Sequence, residues 1–272
     1  MIFDRLLGRA IQTLGMLAIA TAAAAQNTIP NLAISYIVDQ GWVQTTLGPT
    51  VGTNEQRWYV ADMKPGRSYC LETTLGDNTA IDSDTEVWVF ETVTAANAGT
   101  PVTATNDDFT GLASFSRACF VYTGTTSFGS RLGIRACCTN PPATADVFAT
   151  ARAIRFRFTD TTVTAPWWFV SSSSGYNAFA EIANNDVNTV NIVVRVLSPS
   201  GAVLGTTVRA LPGKGNVGLS VASNFGVTIT SGNGSIELAH DGPVGAINLN
   251  VTSLSAVEGL SFDSPGTRKT TW

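Results

Sequence analysis

Two short runs of oxygen-bearing side chains stand out in this 272-residue chain. Asp77, Asp82 and Asp84 form one, and Asn106, Asp107 and Asp108 form the other. Calcium takes about six to eight oxygens from carboxylates, amides and carbonyls. Asp82, Asp84, Asn106, Asp107 and Asp108 are therefore the candidate metal set, with Ca²⁺ as the candidate ion. The plainer account is that Asp and Asn are good turn residues. Asp82, Asp84, Glu86 and Asp107 also hold open a paired-carboxylate hydrolase, since glycoside hydrolysis needs two such groups.

Aromatic residues supply the second candidate. Trp167 and Trp168 adjoin Phe169, and Trp42, Trp58 and Trp88 are further indoles that could join a platform for sugar rings. Neighbouring residues of one strand point to opposite faces, so one of Trp167 and Trp168 should be exposed or lie under a loop. The others read more simply as sandwich core.

Other chemistry finds little support. The chain has one histidine, His240, beside Asp241. A catalytic triad also needs a nucleophile on a sharp elbow and an oxyanion hole, and no such motif is present. His240 reads as an exposed turn residue. The Ser171-Ser172-Ser173-Ser174-Gly175 run reads as a loop, and Gly213-Lys214-Gly215 as a turn. Arg155 and Arg157, with Arg152 nearby, alternate along one strand; pairing with local Asp is the plain expectation, an anionic partner the alternative. No residue is assigned a catalytic role.

Composition narrows the class. Lys and Arg number 16 against 20 Asp and Glu, a net charge of −4. Nucleic acid is a poor partner for that balance, because phosphate neutralisation needs clustered cations. Apolar residues make up 44% of the chain, which excludes a mostly disordered protein. Charged residues make up only 13%, against about a quarter in ordinary domains, and Thr, Ser, Asn and Gly take their place. Residues 1–25 carry Arg5 and Arg9, then an apolar stretch ending in Ala22-Ala23-Ala24-Ala25. That order reads as a secretory signal cleaved after Ala25. The mature chain is expected to be secreted, extracellular or periplasmic, with no membrane span.

Cysteine use fits an oxidising compartment. Cys70, Cys119, Cys137 and Cys138 allow three pairings. A bond between the adjacent Cys137 and Cys138 is the strained option. The favoured pairings are Cys70–Cys137 with Cys119–Cys138, or Cys70–Cys138 with Cys119–Cys137.

The elements that would position these residues read as strands throughout. Period-two alternation marks residues 68–73, 86–90, 118–122 and 131–137 in the first half. In the second half it marks 153–158; 166–170 is a compact aromatic run, and 176–183, 189–197, 202–208, 234–239, 245–250 and 259–262 read as further short strands between turns. Pro141-Pro142 reads as a linker, dividing the mature chain into 26–140 and 141–272. The fold expected is all-β: two antiparallel β-sandwiches after the signal peptide.

In residues 30–138 the Asp82/Asp84 loop, the strand Val87-Trp88-Val89-Phe90 and the run Asn106-Asp107-Asp108 follow one another in an order that resembles the bacterial pre-peptidase C-terminal domain. The resemblance implies a jelly-roll-like sandwich and raises the expectation of calcium. The cysteines depart from that family, and no peptidase motif accompanies it. The second half loosely resembles Ig-like domains of bacterial exported proteins, a likeness that implies fold alone.

The reading is a secreted, non-catalytic binding or attachment protein. Its expected partners are an extracellular polysaccharide or a surface or matrix protein. The alternatives are a hydrolase at the carboxylates and a structural subunit that self-associates by strand addition.

Overall fold

The computed structural model describes residues 35–36, 38–48, 55–75, 85–90, 104–106, 115–123, 128–136 and 152–268. They form strands and turns, with no helix among the described residues. The first nine strands are β1 (Ser35–Tyr36), β2 (Val43–Leu47), β3 (Glu55–Met63), β4 (Ser68–Leu75), β5 (Thr85–Phe90), β6 (Ala104–Asn106), β7 (Arg117–Val121), β8 (Phe128–Ala136) and β9 (Arg152–Asp160). The rest are β10 (Val163–Ser171), β11 (Tyr176–Asn184), β12 (Val190–Leu197), β13 (Val203–Leu211), β14 (Asn216–Ser220), β15 (Ser231–His240), β16 (Ile247–Ser255), β17 (Leu260–Pro265) and β18 (Thr267–Arg268).

Two sheets make the first sandwich, in the orders β1-β3-β8-β5-β6 and β2-β9-β4-β7. All pairings are antiparallel except β1 on β3. Alternation decides what each strand buries. Along β9, Ile154, Phe156 and Phe158 are fully buried while Arg155 is exposed. These three meet Leu71, Phe120, Val87 and Val89 in one core. Each such side chain contributes roughly 1.5–3 kcal/mol on burial. A hydroxyl cluster ties the two sheets: Thr73 Oγ1 lies 2.7 Å from Thr85 Oγ1, and Ser116 N donates to Thr73 Oγ1 at 3.0 Å.

Two findings bear on the sequence expectations here. Strand β9 lies beyond the Pro141-Pro142 run yet pairs with both β2 and β4, so the first sandwich draws a strand from past that run. The chain passes to the other sheet at Thr161 and Thr162. The disulfide joins Cys70 to Cys119, which corrects both favoured pairings. Register is the reason: Cys70 on β4 stands directly opposite Cys119 on β7, with Cα atoms 4.1 Å apart. Cys137 and Cys138 lie outside the described residues.

The second sandwich is one sheet folded over on itself. Its order is β13-β12-β15-β10-β11-β16-β17, with β14 also on β11 and β18 also on β10. The fold line is the β10–β11 hairpin, where the register is Ser171↔Tyr176. One arm turns Ile192, Val194, Val196, Ile236 and Leu238 inward, and the other answers with Ala178, Ala180, Ile182, Leu249 and Val251. The turn from β12 to β13 ends on Gly201 at φ +84°, a conformation that costs glycine little. Gly201 N–H donates to Ser198 O at 2.9 Å there.

Charged groups gather at the junction of the sandwiches; the first pair lies within the first sandwich, and the other two cross between them. Arg67 Nη1 lies 2.9 Å from Asp160 Oδ2, and both side chains are buried. Arg195 Nη2 donates to Gly66 O at 2.7 Å while pairing with Glu237. Arg268 Nη1 donates to Asp39 Oδ1 at 2.7 Å. His240 belongs to this region and is 1% exposed, which corrects its reading as a surface turn residue. It is the last residue of β15, opposite Ile192, so the strand carries it inward before the Asp241-Gly242 turn begins.

Candidate functional site

The Trp167-Trp168 pair sits on a β-bulge. Across β10 and β15 the register shifts between Ala165 and Trp168. Pro166 lacks an amide for the ladder, and bulges are where a sheet tolerates proline. The extra residue puts Ala165 and Trp168 on the same inward side and turns Trp167 outward. Trp168 is fully buried, and its Nε1–H reaches Leu197 O at 3.1 Å and Ser235 O at 3.2 Å. Gly232 makes room for the indole: a Cβ there would stand 3.3 Å from Trp168 Cη2.

Trp167 is 39% exposed and does not stand alone. Its ring stacks on Phe169, with centroids 6.0 Å apart and planes 3° apart. Phe262 of β17 meets it edge-on at 5.8 Å. Tyr176 closes the ring of four, 5.3 Å from Phe169 and 6.1 Å from Phe262. Tyr176 is buried, and Phe262 is 45% exposed. The cluster fills the seam where β10 faces β17. Side-chain hydroxyls complete that seam: Trp167 N–H donates to Ser264 Oγ at 3.1 Å, and Phe169 N–H to Ser253 Oγ at 3.0 Å. Tyr176 Oη–H donates to Glu258 Oε2 at 2.8 Å, a bond that pushes the phenol's pKa up and keeps it protonated. The seam thus offers two exposed rings, each braced by another aromatic.

Trp167, Trp168 and Phe169 are the aromatics that stand together in the sequence. The structure brings Trp167 and Phe169 together and commits Trp168 to the core. Phe262, Tyr176 and Glu258 were missed as site members. Phe262 lies 95 residues from Trp167 in the chain, and only the fold-over of the sheet brings them together. No local pattern signals that.

The calcium candidates Asp82, Asp84, Asp107 and Asp108, with Asp77, lie outside the described residues. Asn106 ends β6 opposite Val87 of β5, so the end of β6 and the start of β5 share one end of their sheet. Among the described residues, no group of three or more metal-ligating side chains converges.

A shallow groove opens beside β11, β14, β16 and β17 of the second sandwich. It is lined by Glu181, Asn216, Asn248, Asn250 and Pro265. Edge strand β13 exposes Val203, Leu204 and Val208, yet part of its backbone is already engaged. Thr206 N–H donates to Phe225 O at 3.0 Å, and Arg209 Nη1 donates to Val208 O at 2.8 Å. Covering edge groups in this way discourages strand addition.

No protein-family model matches the chain, and no curated protein matches it. Among solved structures it is similar to a glycosyl hydrolase family 2 member from Bacteroides cellulosilyticus DSM 14838. Identity is 9% and the TM-score 0.20, over 78% of this chain and 27% of that one. A Bacteroides uniformis beta-glucuronidase aligns at 10% identity and TM-score 0.16, over 84% of this chain and 26% of the other. A Parabacteroides merdae beta-glucuronidase gives 9% and 0.17, over 82% and 27%. The chain spans about a quarter of the length of these proteins, and likeness this slight carries no inference about what it does.

Proposed function

We propose that this chain is an exported, non-catalytic binding protein that holds an extracellular polysaccharide or a surface partner. One observation carries the reading: the half-exposed Trp167 and Phe262 at the seam, braced by Phe169 and Tyr176. Exposed aromatic rings held rigidly lose little entropy on binding, and their faces suit the apolar faces of sugars. The hydroxyl-rich, charge-poor surface fits a neutral polymer. The signal-like residues 1–25 and the disulfide are what an exported chain would carry. The resemblance of residues 30–138 to the pre-peptidase C-terminal domain remains part of the proposal, as does calcium at Asp82, Asp84, Asn106, Asp107 and Asp108.

The test is affinity electrophoresis through gels of neutral glucans, mannans and xylans. Parent protein should be retarded by at least one of them. Trp167→Ala and Phe262→Ala should each weaken that retardation about five- to tenfold, the value of roughly 1 kcal/mol of ring contact. Retardation unchanged in both variants would sink the seam as the contact. An absence of retardation, together with no capture of surface or matrix proteins, would sink the binding reading itself.

A further inference from the structure

The outer face of β2-β9-β4-β7 carries a second arrangement, remote from the seam in sequence and sheet. Register sets Arg117 of β7 opposite Glu72 of β4, and Glu72 opposite Arg157 of β9. The β2–β9 pairing starts at Val43↔Phe156, so the next position outward sets Trp42 beside Arg157. The Arg157 guanidinium lies 4.6 Å from the centre of the Trp42 ring. Trp42, Arg157, Glu72 and Arg117 thus form one straight row across four strands.

Within the row one carboxylate serves two guanidiniums. Arg117 Nε bonds Glu72 Oε1, and Arg157 Nε donates to Glu72 Oε2 at 2.6 Å. One buried carboxylate has both oxygens engaged and answers two guanidiniums. One row along, Arg155 stands exposed on the same face, opposite Gln44 and Thr74. Among the described residues Arg155 has no ion-pair partner. Strand rise puts Arg155 and Arg157 about 7 Å apart. Arg155 therefore adds a positive charge without an ion-pair partner beside Arg157, on a chain that is net negative. Trp42 borders the face, 44% exposed. The opposite end is shut: the Cys70–Cys119 disulfide lies there, with Gly242 O against Cys70 Sγ at 3.4 Å.

A guanidinium prefers a carboxylate or sulfate, and an indole face prefers a flat apolar ring. An acidic sugar unites the two in one residue. An acidic peptide supplies the charge without the ring. We propose that this face binds an acidic polysaccharide, with Trp42 stacking on a sugar ring while Arg155 and Arg157 take its carboxylate or sulfate groups. The proposal stands apart from the seam and does not need it.

The experiment uses the whole mature chain in affinity gels of polygalacturonate, dextran sulfate and neutral dextran, with soluble poly-glutamate as competitor. The parent should be retarded by one or both acidic polymers and not by dextran. Which polymer retards it distinguishes carboxylate from sulfate. Retardation should weaken roughly tenfold between 50 and 200 mM salt, as expected for about two neutralised anions. Arg155→Glu should abolish it, Arg155→Lys should keep most of it, and Trp42→Ala should cut it about fivefold or more. Arg155 is exposed, so Arg155→Glu should melt where the parent does. Trp167→Ala should leave this retardation unchanged. Parent-like retardation of Arg155→Glu, or equally tight competition by poly-glutamate, would overturn the proposal. So would failure of the parent to respond to either acidic polymer.

Discussion

Two buried titratable groups at the junction of the sandwiches should pull stability in opposite directions as pH changes. Burial pushes the Asp160 carboxyl up to about 6 from an ordinary 3.8, against the pull of Arg67 and of the Thr162 N–H that it accepts. Burial pushes His240 the other way, to about 4 from 6.5. For Asp160 the folded state holds its proton more tightly than the unfolded chain. Its contribution is full below about pH 4 and is lost as pH rises through 6. For His240 the unfolded chain holds the proton more tightly. Stability is full above about pH 6.5 and is lost as pH falls through 4. Each shift amounts to roughly 3 kcal/mol at ~1.4 kcal/mol per unit. Between pH 4 and 6.5 the two slopes nearly cancel, so the parent protein should show a flat profile from this pair. His240→Gln removes the rising slope and leaves the falling one. Relative to the parent, its stability should drop by about 3 kcal/mol between pH 4 and 6.5, or roughly 6–12 °C in Tm. The assay is thermal unfolding of the mature chain in half-unit steps from pH 4 to 7. The difference between variant and parent is what matters, since other groups titrate identically in both. A difference that stays constant across the range would refute the account of His240. Asp160→Asn should show the opposite slope, gaining on the parent as pH rises from 4 to 6.5.

Three shorter predictions concern the disulfide, the two indoles and the proposed calcium site. Replacing Cys70 and Cys119 together with Ala opens a loop of sequence separation 49, and should cost about 4 kcal/mol by loop-closure entropy, measured by urea unfolding. Trp168→Ala should cost about 3–5 kcal/mol, because it empties a fully buried site, whereas Trp167→Ala should cost under about 1 kcal/mol. Equal losses would mean that the bulge does not sort the two indoles. In a calcium titration against EDTA, the parent should gain about 2.7 kcal/mol at ~100 times the dissociation constant, and Asp107→Ala should gain nothing. A flat parent response would reduce the aspartates to turn chemistry.

Much of the architecture was legible from alternation. The strands around 68–73, 153–158 and 189–197 appear within a few residues of where the residue pattern places them. Their apolar members face the two cores. Strand β14 escaped because Asn216-Val217-Gly218-Leu219-Ser220 has two small residues and only two apolar ones, and is held by pairing along β11. The disulfide was misjudged because sequence shows spacing but not register. Cys70 and Cys119 meet only because β4 and β7 are neighbours. His240 was misjudged for a related reason: an Asp-Gly pair announces a turn, but not on which side of the strand's end the preceding residue falls. The seam and the basic row were legible in part. Trp167, Arg155 and Arg157 drew notice as local patterns. Phe262, Tyr176, Glu72 and Trp42 gained meaning only when strands distant in sequence were laid side by side.

The junction also decides how the seam and the basic row relate. Strand β9 ends at Asp160 and β10 begins at Val163, so Thr161 and Thr162 alone connect the sandwiches. Neither is slack. Thr161 N–H donates to Ser68 O at 2.9 Å, and Thr162 Oγ1 accepts from Ser68 N–H at 2.9 Å. Around them Arg195 and Arg268 each reach an acceptor or counter-charge on the other sandwich. Buried ion pairs are weak contributors to net stability, because desolvation offsets most of their attraction. Their geometry is nonetheless demanding: a shifted junction would take Gly66 O away from the Arg195 guanidinium and Asp39 away from Arg268. An apolar interface of the same area would tolerate sliding. A charged one, sealed by a two-residue connection, favours one orientation. The seam at β10 and β17 and the basic row on β2-β9-β4-β7 are thereby held at a fixed spacing.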